Sequence, residues 1–206
     1  MQTIDYFKIL VQDIHTTVMA TLDESGHPVT CAIDIMDYDD EGLYFLTAQG
    51  KQFYHRLKAH PTIALTALKG DDTLSSVSLS LQGSIREIGP ARLPALFAKN
   101  RYMETIYPTE ASRSALTVFQ IYQGTGEWFD LSRQPIERAA FAFGGAAAQA
   151  GGYHITDRCT GCGLCLSFCP QNCIDLTAHP AQIQTANCLH CGNCYTVCPV
   201  KAVEKY

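Results

Sequence analysis

The chain has 206 residues, of which 47% are hydrophobic, and a formal net charge of −5 from 15 basic and 20 acidic side chains. It has no basic stripe, which argues against nucleic acid as a partner, and no apolar run approaches the ~18 residues of a membrane span. The first residues also lack the charged start and apolar run of a signal peptide. We therefore expect no membrane partner and a cytoplasmic location.

Residues 1–140 show the pattern of a mainly β domain with a few helices. The spacing of apolar residues predicts helices at 4–11, 51–59 and 91–100. Apolar runs bounded by turn residues predict strands at 17–22, 28–36, 43–47, 63–68, 76–88, 116–122 and 126–131. Several short strands with few helices are typical of a small β-barrel.

One connection in this domain has the composition of a phosphate site. The residues Thr47-Ala48-Gln49-Gly50-Lys51 leave a predicted strand and open a predicted helix. Backbone N–H groups at a helix N-terminus, a hydroxyl and a lysine together can bind a phosphate. The alternative is an ordinary strand–helix connection with a solvated lysine.

Residues 141–152 are small and featureless, with a glycine- and alanine-rich run at 144–152. Such a composition is typical of a flexible linker. We therefore predict a linker at 141–152 and a second, small α+β domain at 153–206. In the second domain, residues 153–155 and 181–184 are predicted to form a pair of short strands.

Eight of the ten cysteines lie in two copies of the motif C-x2-C-x2-C-x3-C-P, which begin at Cys159 and Cys188. This is the ligand pattern of bacterial ferredoxins with two [4Fe–4S] clusters, in which the fourth cysteine of each copy binds the other cluster. The pattern predicts two sets of ligands. The first site takes Cys159, Cys162, Cys165 and Cys198, and the second site takes Cys188, Cys191, Cys194 and Cys169.

Other uses of these cysteines fit the spacing less well. Zinc sites usually show two separated C-x2-C pairs, and a disulfide framework suits a small secreted chain. Within the 29-residue repeat from Cys159 to Cys188, Cys173 aligns with Ala202. This position favours a small buried residue over a reactive thiol. His190, inside a cysteine loop, is expected to be a surface residue and not a ligand.

The run from Thr21 to Leu68 resembles the FMN-binding split barrels of the pyridoxamine-phosphate-oxidase-like superfamily. The similar features are Gly-x-Pro at 26–28, the acidic hairpin into Gly-Leu-Tyr-Phe at 42–45, the loop at 47–51, the helix that ends in His-Pro at 60–61, and Gly83. The resemblance covers roughly 18–131. It implies a split barrel that binds FMN and forms a homodimer, with the flavin across the interface.

The resemblance also implies which residues contact the flavin. Thr47, Ala48, Lys51 and Gln52 would bind it in one subunit, and Trp128 is a candidate contact in the other, although it could be a plain core aromatic. The vitamin-converting oxidases carry an arginine in the second strand and a lysine five residues on. Cys31 and Met36 stand there in this chain, so oxidation of pyridoxamine phosphate is not expected.

Joining the two domains gives a converter between one-electron and two-electron chemistry. The first hypothesis is an FMN-dependent reductase of a small organic acceptor, fed through its own ferredoxin domain. The second is an electron carrier between protein partners, and the third is a redox or flavin sensor. A redox partner protein or a nicotinamide cofactor would be the donor, in the cytosol of an anaerobe. Candidates for proton transfer are Tyr44, His55 and Tyr122, each of which could equally be a core or rim residue.

Overall fold

The structure of the protein, a computed structural model, describes residues 1–148 and 151–206. These residues form two compact units. The sheet unit comprises 1–69, 78–128 and 141–148. The cysteine unit comprises 70–77, 129–140 and the described residues from 151 onwards.

The sheet unit is built on one mainly antiparallel sheet. Its strands are β1 (Thr16–Leu22), β2 (Pro28–Asp34), β3 (Asp37–Asp39), β4 (Gly42–Ala48), β5 (Thr62–Lys69), β6 (Val77–Gly89), β7 (Leu116–Asp130) and β8 (Glu137–Phe143). Their order is β2-β1-β5-β6-β7-β4-β3, and β8 pairs with β7. The prediction of a mainly β split-barrel domain is confirmed.

Short helices connect and cover these strands. They are α1 (Thr3–Lys8), which continues as a π-helical segment (Ile9–Ile14), α2 (Gln52–Ala59), a 3-10 turn (Pro90–Arg92), α3 (Leu93–Lys99), α4 (Met103–Ile106) and α5 (Glu110–Arg113). The helices predicted at 4–11, 51–59 and 91–100 are present. No helix in the described part of the chain is long and apolar enough to span a membrane.

The core of the sheet unit lies against β4 and β7, which are buried along most of their length. The rings of Phe45 and Phe119, paired across these strands, stack with their centroids 5.6 Å apart. A second apolar cluster includes Leu96 of α3 and Val118 of β7. By contrast, the burial of β5 alternates along the strand. Burial on both faces explains why β4 reads as a continuous apolar run.

One prediction for this region is wrong, and one strand was not predicted. The strands predicted at 116–122 and 126–131 are one strand, β7, because Gly124 and Gly126 lie inside it and do not form a turn. A Cβ on Gly126 would lie 2.2 Å from the ring of Phe141, so this glycine permits close packing of β8. Strand β8 was not predicted, and it continues to Phe143 inside the proposed linker. Residues 149 and 150 of that linker lie outside the described residues.

The cysteine unit has little regular structure. Its elements from 151 onwards are β9 (Tyr153–Ile155), α6 (Leu164–Ser167), β10 (Ile174–Asp175), β11 (Gln182–Ile183), a 3-10 turn (Thr185–Asn187), α7 (Asn193–Val197) and β12 (Val203–Lys205). Strand β9 pairs with β12 and β10 pairs with β11, both antiparallel. The predicted pairing of 153–155 with 181–184 is therefore wrong.

The sequence repeat explains the correct pairing. Strands β9 and β11 occupy the same position in the two copies, each at the start, and β10 and β12 occupy the same position at the end. Each starting strand pairs with the closing strand of the other copy. Equivalent strands therefore do not pair, and the two halves of the repeat exchange their ends.

Candidate functional site

The four cysteines of the predicted first site line one cavity. Cys159 and Cys162 lie in the loop that leads into α6, Cys165 lies in α6 itself, and Cys198 follows α7. Together they border one small cavity. Apolar side chains complete its wall, among them Ile155, Leu176 and Val203.

The second site repeats this arrangement with the copies exchanged. Cys188, Cys191 and Cys194 border a second small cavity together with Cys169 of the first copy. The structure thus brings together the two sets of four that the motif predicts, each made of three cysteines from one copy and one from the other. Among the described residues, no three His, Cys, Asp or Glu side chains are placed to hold one metal ion. The cysteines surround a cavity instead, as a four-iron cube requires.

Backbone N–H groups point at several of these sulfurs. The N–H of Gly161 donates to Cys159 Sγ and the N–H of His190 donates to Cys188 Sγ, both at 3.4 Å. Both donors adopt a positive φ, +69° at Gly161 and +56° at His190, and they stand at the same position of the repeat. Hydrogen bonds to sulfur help to set the potential of an iron–sulfur cluster. The loops therefore fit [4Fe–4S] clusters in both donor set and backbone geometry.

Cys173 is not one of the eight, but it lies beside the second site. It is 2% exposed, and its Sγ lies 3.5 Å from Cys169 Sγ. Burial, and next the hydrogen bond with Cys169, raise the pKa of this thiol far above its ordinary value. The buried position predicted from the repeat is present, but the contact with Cys169 could not be predicted, because the equivalent Ala202 has no side-chain donor.

The residues of the predicted phosphate site, here named the cradle, surround the N-terminus of α2. Thr47 lies one residue before the end of β4 and is 3% exposed, and its Oγ1 has no hydrogen-bond partner among the described residues. Lys51 occupies the N-cap position without capping the helix through its side chain. Ala48 is half-buried, and Lys51 and Gln52 are exposed. An unsatisfied buried hydroxyl beside an uncapped helix end fits a phosphate ligand.

The structure adds a cation that the sequence did not reveal. Arg56 of α2 is half-buried, and its Nε donates to Thr21 Oγ1 at 2.8 Å. Burial raises the pKa of the Cys31 thiol, while the charges of Arg56 and Lys51 oppose that rise. Two positive charges therefore act on the strand position where related oxidases carry an arginine. The contact depends on how α2 packs against β1 and β2, which no local pattern specifies.

A groove of about 540 Å³ lies on the strands of the sheet unit. It is bordered by β1, β5, β6 and β7, with Thr21, Ala64, Gly83 and Gly124 in its lining. A neighbouring cavity of about 390 Å³ is lined by Gln52, among others, and Leu22 lines both. Grooves of this size hold small ligands and cofactors.

The three candidates for proton transfer do not come together. Tyr44 is buried, donates to Asp39 Oδ1 at 2.8 Å, and carries the guanidinium of Arg92 3.8 Å from its ring centre. Burial and the contact with Asp39 raise its pKa far above the ordinary value, so it is a structural residue. Tyr122 is half-buried under Arg86. His55 is exposed and is the one of the three that lines the cavity beside Gln52.

Trp128 lies away from the cradle of its own chain. It is eleven residues further along β7 than Thr117, the residue paired with Thr47. It is 5% exposed, and its ring centre lies 6.2 Å from that of Tyr6. This is a packing position, but the indole Nε1 has no hydrogen-bond partner among the described residues.

Comparison with known families identifies both parts of the chain. Residues 5–126 match the family described as pyridoxamine 5'-phosphate oxidase, and residues 158–202 match the 4Fe-4S dicluster domain. Since the first match covers more than half of the chain, the protein belongs to the pyridoxamine 5'-phosphate oxidase family of FMN-binding split barrels. Together with the dicluster domain, this makes it an electron-transfer flavo-iron–sulfur protein.

Solved structures show the same fold at low identity. A NimC/NimA family protein from Clostridium acetobutylicum is 11% identical, with a TM-score of 0.56 over 68% of this chain and 91% of its own. A protein related to general stress protein 26, also from C. acetobutylicum, is 20% identical, with a TM-score of 0.50 over 67% and 92%. A heme binding protein from Mycobacterium smegmatis is 14% identical, with a TM-score of 0.50 over 64% and 55%. No curated protein matches the chain.

Proposed function

We propose that the protein is an FMN-dependent reductase of a small organic acceptor and receives its electrons through two [4Fe–4S] clusters of its own. The observation that carries the proposal is the combination of two cysteine-lined cavities with an open groove on the strands of the sheet unit, adjoining a cavity that Gln52 of α2 lines. A carrier needs space for its flavin alone, whereas a reductase also needs room for its acceptor. The groove has room for a flavin ring and a second small molecule.

The cradle residues have distinct roles in this proposal. The N–H groups of the first turn of α2, with Lys51 and Gln52, bind the phosphate of FMN, and the unpaired hydroxyl of Thr47 donates a further hydrogen bond. Arg56 adds positive charge from the same helix. When bound, FMN accepts electrons singly and passes them on in pairs. The protein's own residues hold its phosphate and leave the groove open to the acceptor.

A second copy of the chain is the proposed partner of the sheet unit. The outward-facing residues of β1 and β5 are all uncharged: Thr16, Val18, Ala20, Leu22, Thr62, Ala64, Thr66 and Leu68. Val18 is 55% exposed and Leu68 is 63% exposed. An exposed, partly apolar face without charges is typical of a protein interface, and C2 dimers are the commonest oligomers. In such a homodimer, the indole N–H of Trp128 is a candidate contact with the partner's flavin.

One observation favours a carrier as the second candidate. Cys162 and Cys191, one in each set, are exposed, so both cluster sites reach the surface of the cysteine unit. Surface clusters exchange electrons directly with a protein partner. The proposed donor is accordingly a redox partner protein or a nicotinamide cofactor, in the cytoplasm of an anaerobic cell.

The decisive experiment tests whether the protein turns over an acceptor catalytically or only carries electrons. The full chain, purified without oxygen, should contain about eight irons and FMN and not FAD. Reduced by a ferredoxin or by a nicotinamide cofactor, it should then consume nitroaromatics, quinones or enones catalytically. A Cys194→Ser variant should keep its FMN and accept electrons from dithionite, but lose turnover with the protein donor. Stoichiometric electron storage without turnover of any acceptor would instead establish the carrier.

A further inference from the structure

The two cysteine loops repeat in sequence, but their surroundings differ. The residue before the first ligand is Arg158 at the first site and Asn187 at the second. Arg158 is exposed, and its Nη2 lies 2.6 Å from Glu204 Oε1. Asn187 is half-buried, and its Nδ2 donates to the carbonyl of Ile136 at 2.8 Å. The two loops are thus fastened to different segments at this position, the first to β12 and the second to the segment that contains Ile136.

That segment is the strand extension, residues 129–140, which belongs to the cysteine unit. It is internally braced, since Arg133 pairs with both Asp130, at 3.1 Å, and Glu137, at 2.9 Å. The N–H of Leu131 donates to the carbonyl of Ser76 at 2.9 Å. The extension is therefore a built part of the unit and not a loose loop.

Arg138 of the strand extension reaches the second site itself. Its Nη1 donates to the carbonyl of Cys188 at 3.3 Å, and its guanidinium lies 4.8 Å from the ring centre of Phe129. The side chain is half-buried, and Cys188 is 8% exposed. An arginine keeps its charge at all relevant pH values. A permanent cation is thus held at a half-buried position against the first ligand of the second site.

We propose that the strand extension makes the second cluster the stronger electron acceptor of the two, with Arg138 as the residue that sets the difference. This inference rests on the proposed function, because it requires a cluster in each cavity. Reduction adds one electron, and so one negative charge, to a cluster. A nearby cation stabilises that charge, and more strongly where the surroundings have a low dielectric constant.

The consequence is a preferred direction of electron transfer inside the cysteine unit, from the first cluster to the second. One electron that enters at the first site leaves that cluster oxidised and resides on the second, without any other reactant. We expect Arg138 to shift the distribution of the electron between the clusters by about tenfold, which is 59 mV for one electron.

The test is a redox titration of the anaerobic full-length protein, followed by electron paramagnetic resonance. Arg138→Gln should lower the potential of one cluster and shift the distribution about tenfold, with iron content unchanged. Arg138→Lys keeps the charge and should retain most of the wild-type difference. Arg158→Gln is the matched control and should change the distribution less than twofold. A Cys191→Ser variant alters a ligand of the second site and so identifies its signal.

The possible outcomes distinguish a failure of the proposed function from a failure of the inference about Arg138. A protein that binds only one cluster, or none, contradicts the proposed function. If two clusters are present and Arg138→Gln leaves both potentials unchanged or shifts both equally, the inference about Arg138 is wrong. A shift with Arg138→Lys as large as that with Arg138→Gln would also overturn it, since the charge would not be the cause.

Discussion

Replacing Thr47 with valine should stabilise the flavin-free protein and weaken flavin binding. Thr47 Oγ1 is buried without a partner among the described residues, and an unsatisfied buried polar group costs about 1–3 kcal/mol. Valine has almost the same shape and removes that cost, so the unfolding free energy of the flavin-free protein should rise by about 1 kcal/mol. The lost hydrogen bond to the phosphate should weaken FMN binding by about tenfold, or ~1.4 kcal/mol.

The residue paired with Thr47 across the sheet supplies a control, for which we expect the opposite change in the unfolding free energy. Thr117 pairs with Thr47 in the strand register and is equally buried, but its Oγ1 donates to Glu87 Oε1 at 2.7 Å. A hydrogen bond to a charged group contributes about 1.5–3 kcal/mol. Thr117→Val should therefore destabilise the flavin-free protein and leave FMN affinity within about twofold.

The single tryptophan makes this comparison measurable. Trp128 is buried in the sheet unit, so its fluorescence follows the unfolding of that unit separately from the cysteine unit. Denaturant unfolding of the flavin-free variants and titration with FMN give the two quantities. If Thr47→Val destabilises the protein as Thr117→Val does, or binds FMN as tightly as the wild type, then Thr47 does not contact the phosphate.

Three further changes have definite expected results. Cys173→Ala should leave the iron content at about eight, because Cys173 is a neighbour of the ligands and not one of them; a loss of four irons in analysis would contradict this. For Asp39, burial raises the pKa, but hydrogen bonds from Arg92 and Tyr44 outweigh it and lower the pKa overall. The ionised Asp39 carboxylate therefore stabilises the fold fully above its ordinary pKa of ~4, and this stabilisation is lost as the pH falls through the lower pKa of the folded state. Asp39→Asn should make the unfolding free energy depend less on pH in this acid range. An unchanged pH dependence would refute the argument. Leu68→Glu places a charge on the proposed dimer face and should give monomers with weakened FMN binding, whereas a dimer in sedimentation would place the interface elsewhere.

The cluster ligands are the part of the site that the sequence predicts best. Ligand spacing in C-x2-C-x2-C-x3-C-P is a property of one short loop, so the crossed sets follow from the motif, and the two cavities have the expected linings. The strand pairing in the same unit could not be predicted in the same way. Two equivalent starting strands look like natural partners, and only the three-dimensional exchange of ends shows that β9 pairs with β12.

The sheet unit shows where local patterns mislead. Gly124 and Gly126 are usually turn signals, but here they lie inside β7 and permit the close approach of neighbouring groups. Strand β8 is short and runs directly into the glycine- and alanine-rich stretch at 144–152, from which the linker was predicted. The position of Arg56 beside Cys31 depends on the packing of α2, a long-range contact that no sequence window contains.

The exchange of ends in the cysteine unit has a consequence for how the protein is made. The first site contains Cys159, Cys162 and Cys165, but its fourth ligand is Cys198, and β9 finds its partner only in β12. On the ribosome, the chain passes through the whole second copy before the first set of ligands is complete. Loading with iron therefore has to follow synthesis of both copies, and neither half of the repeat can mature alone.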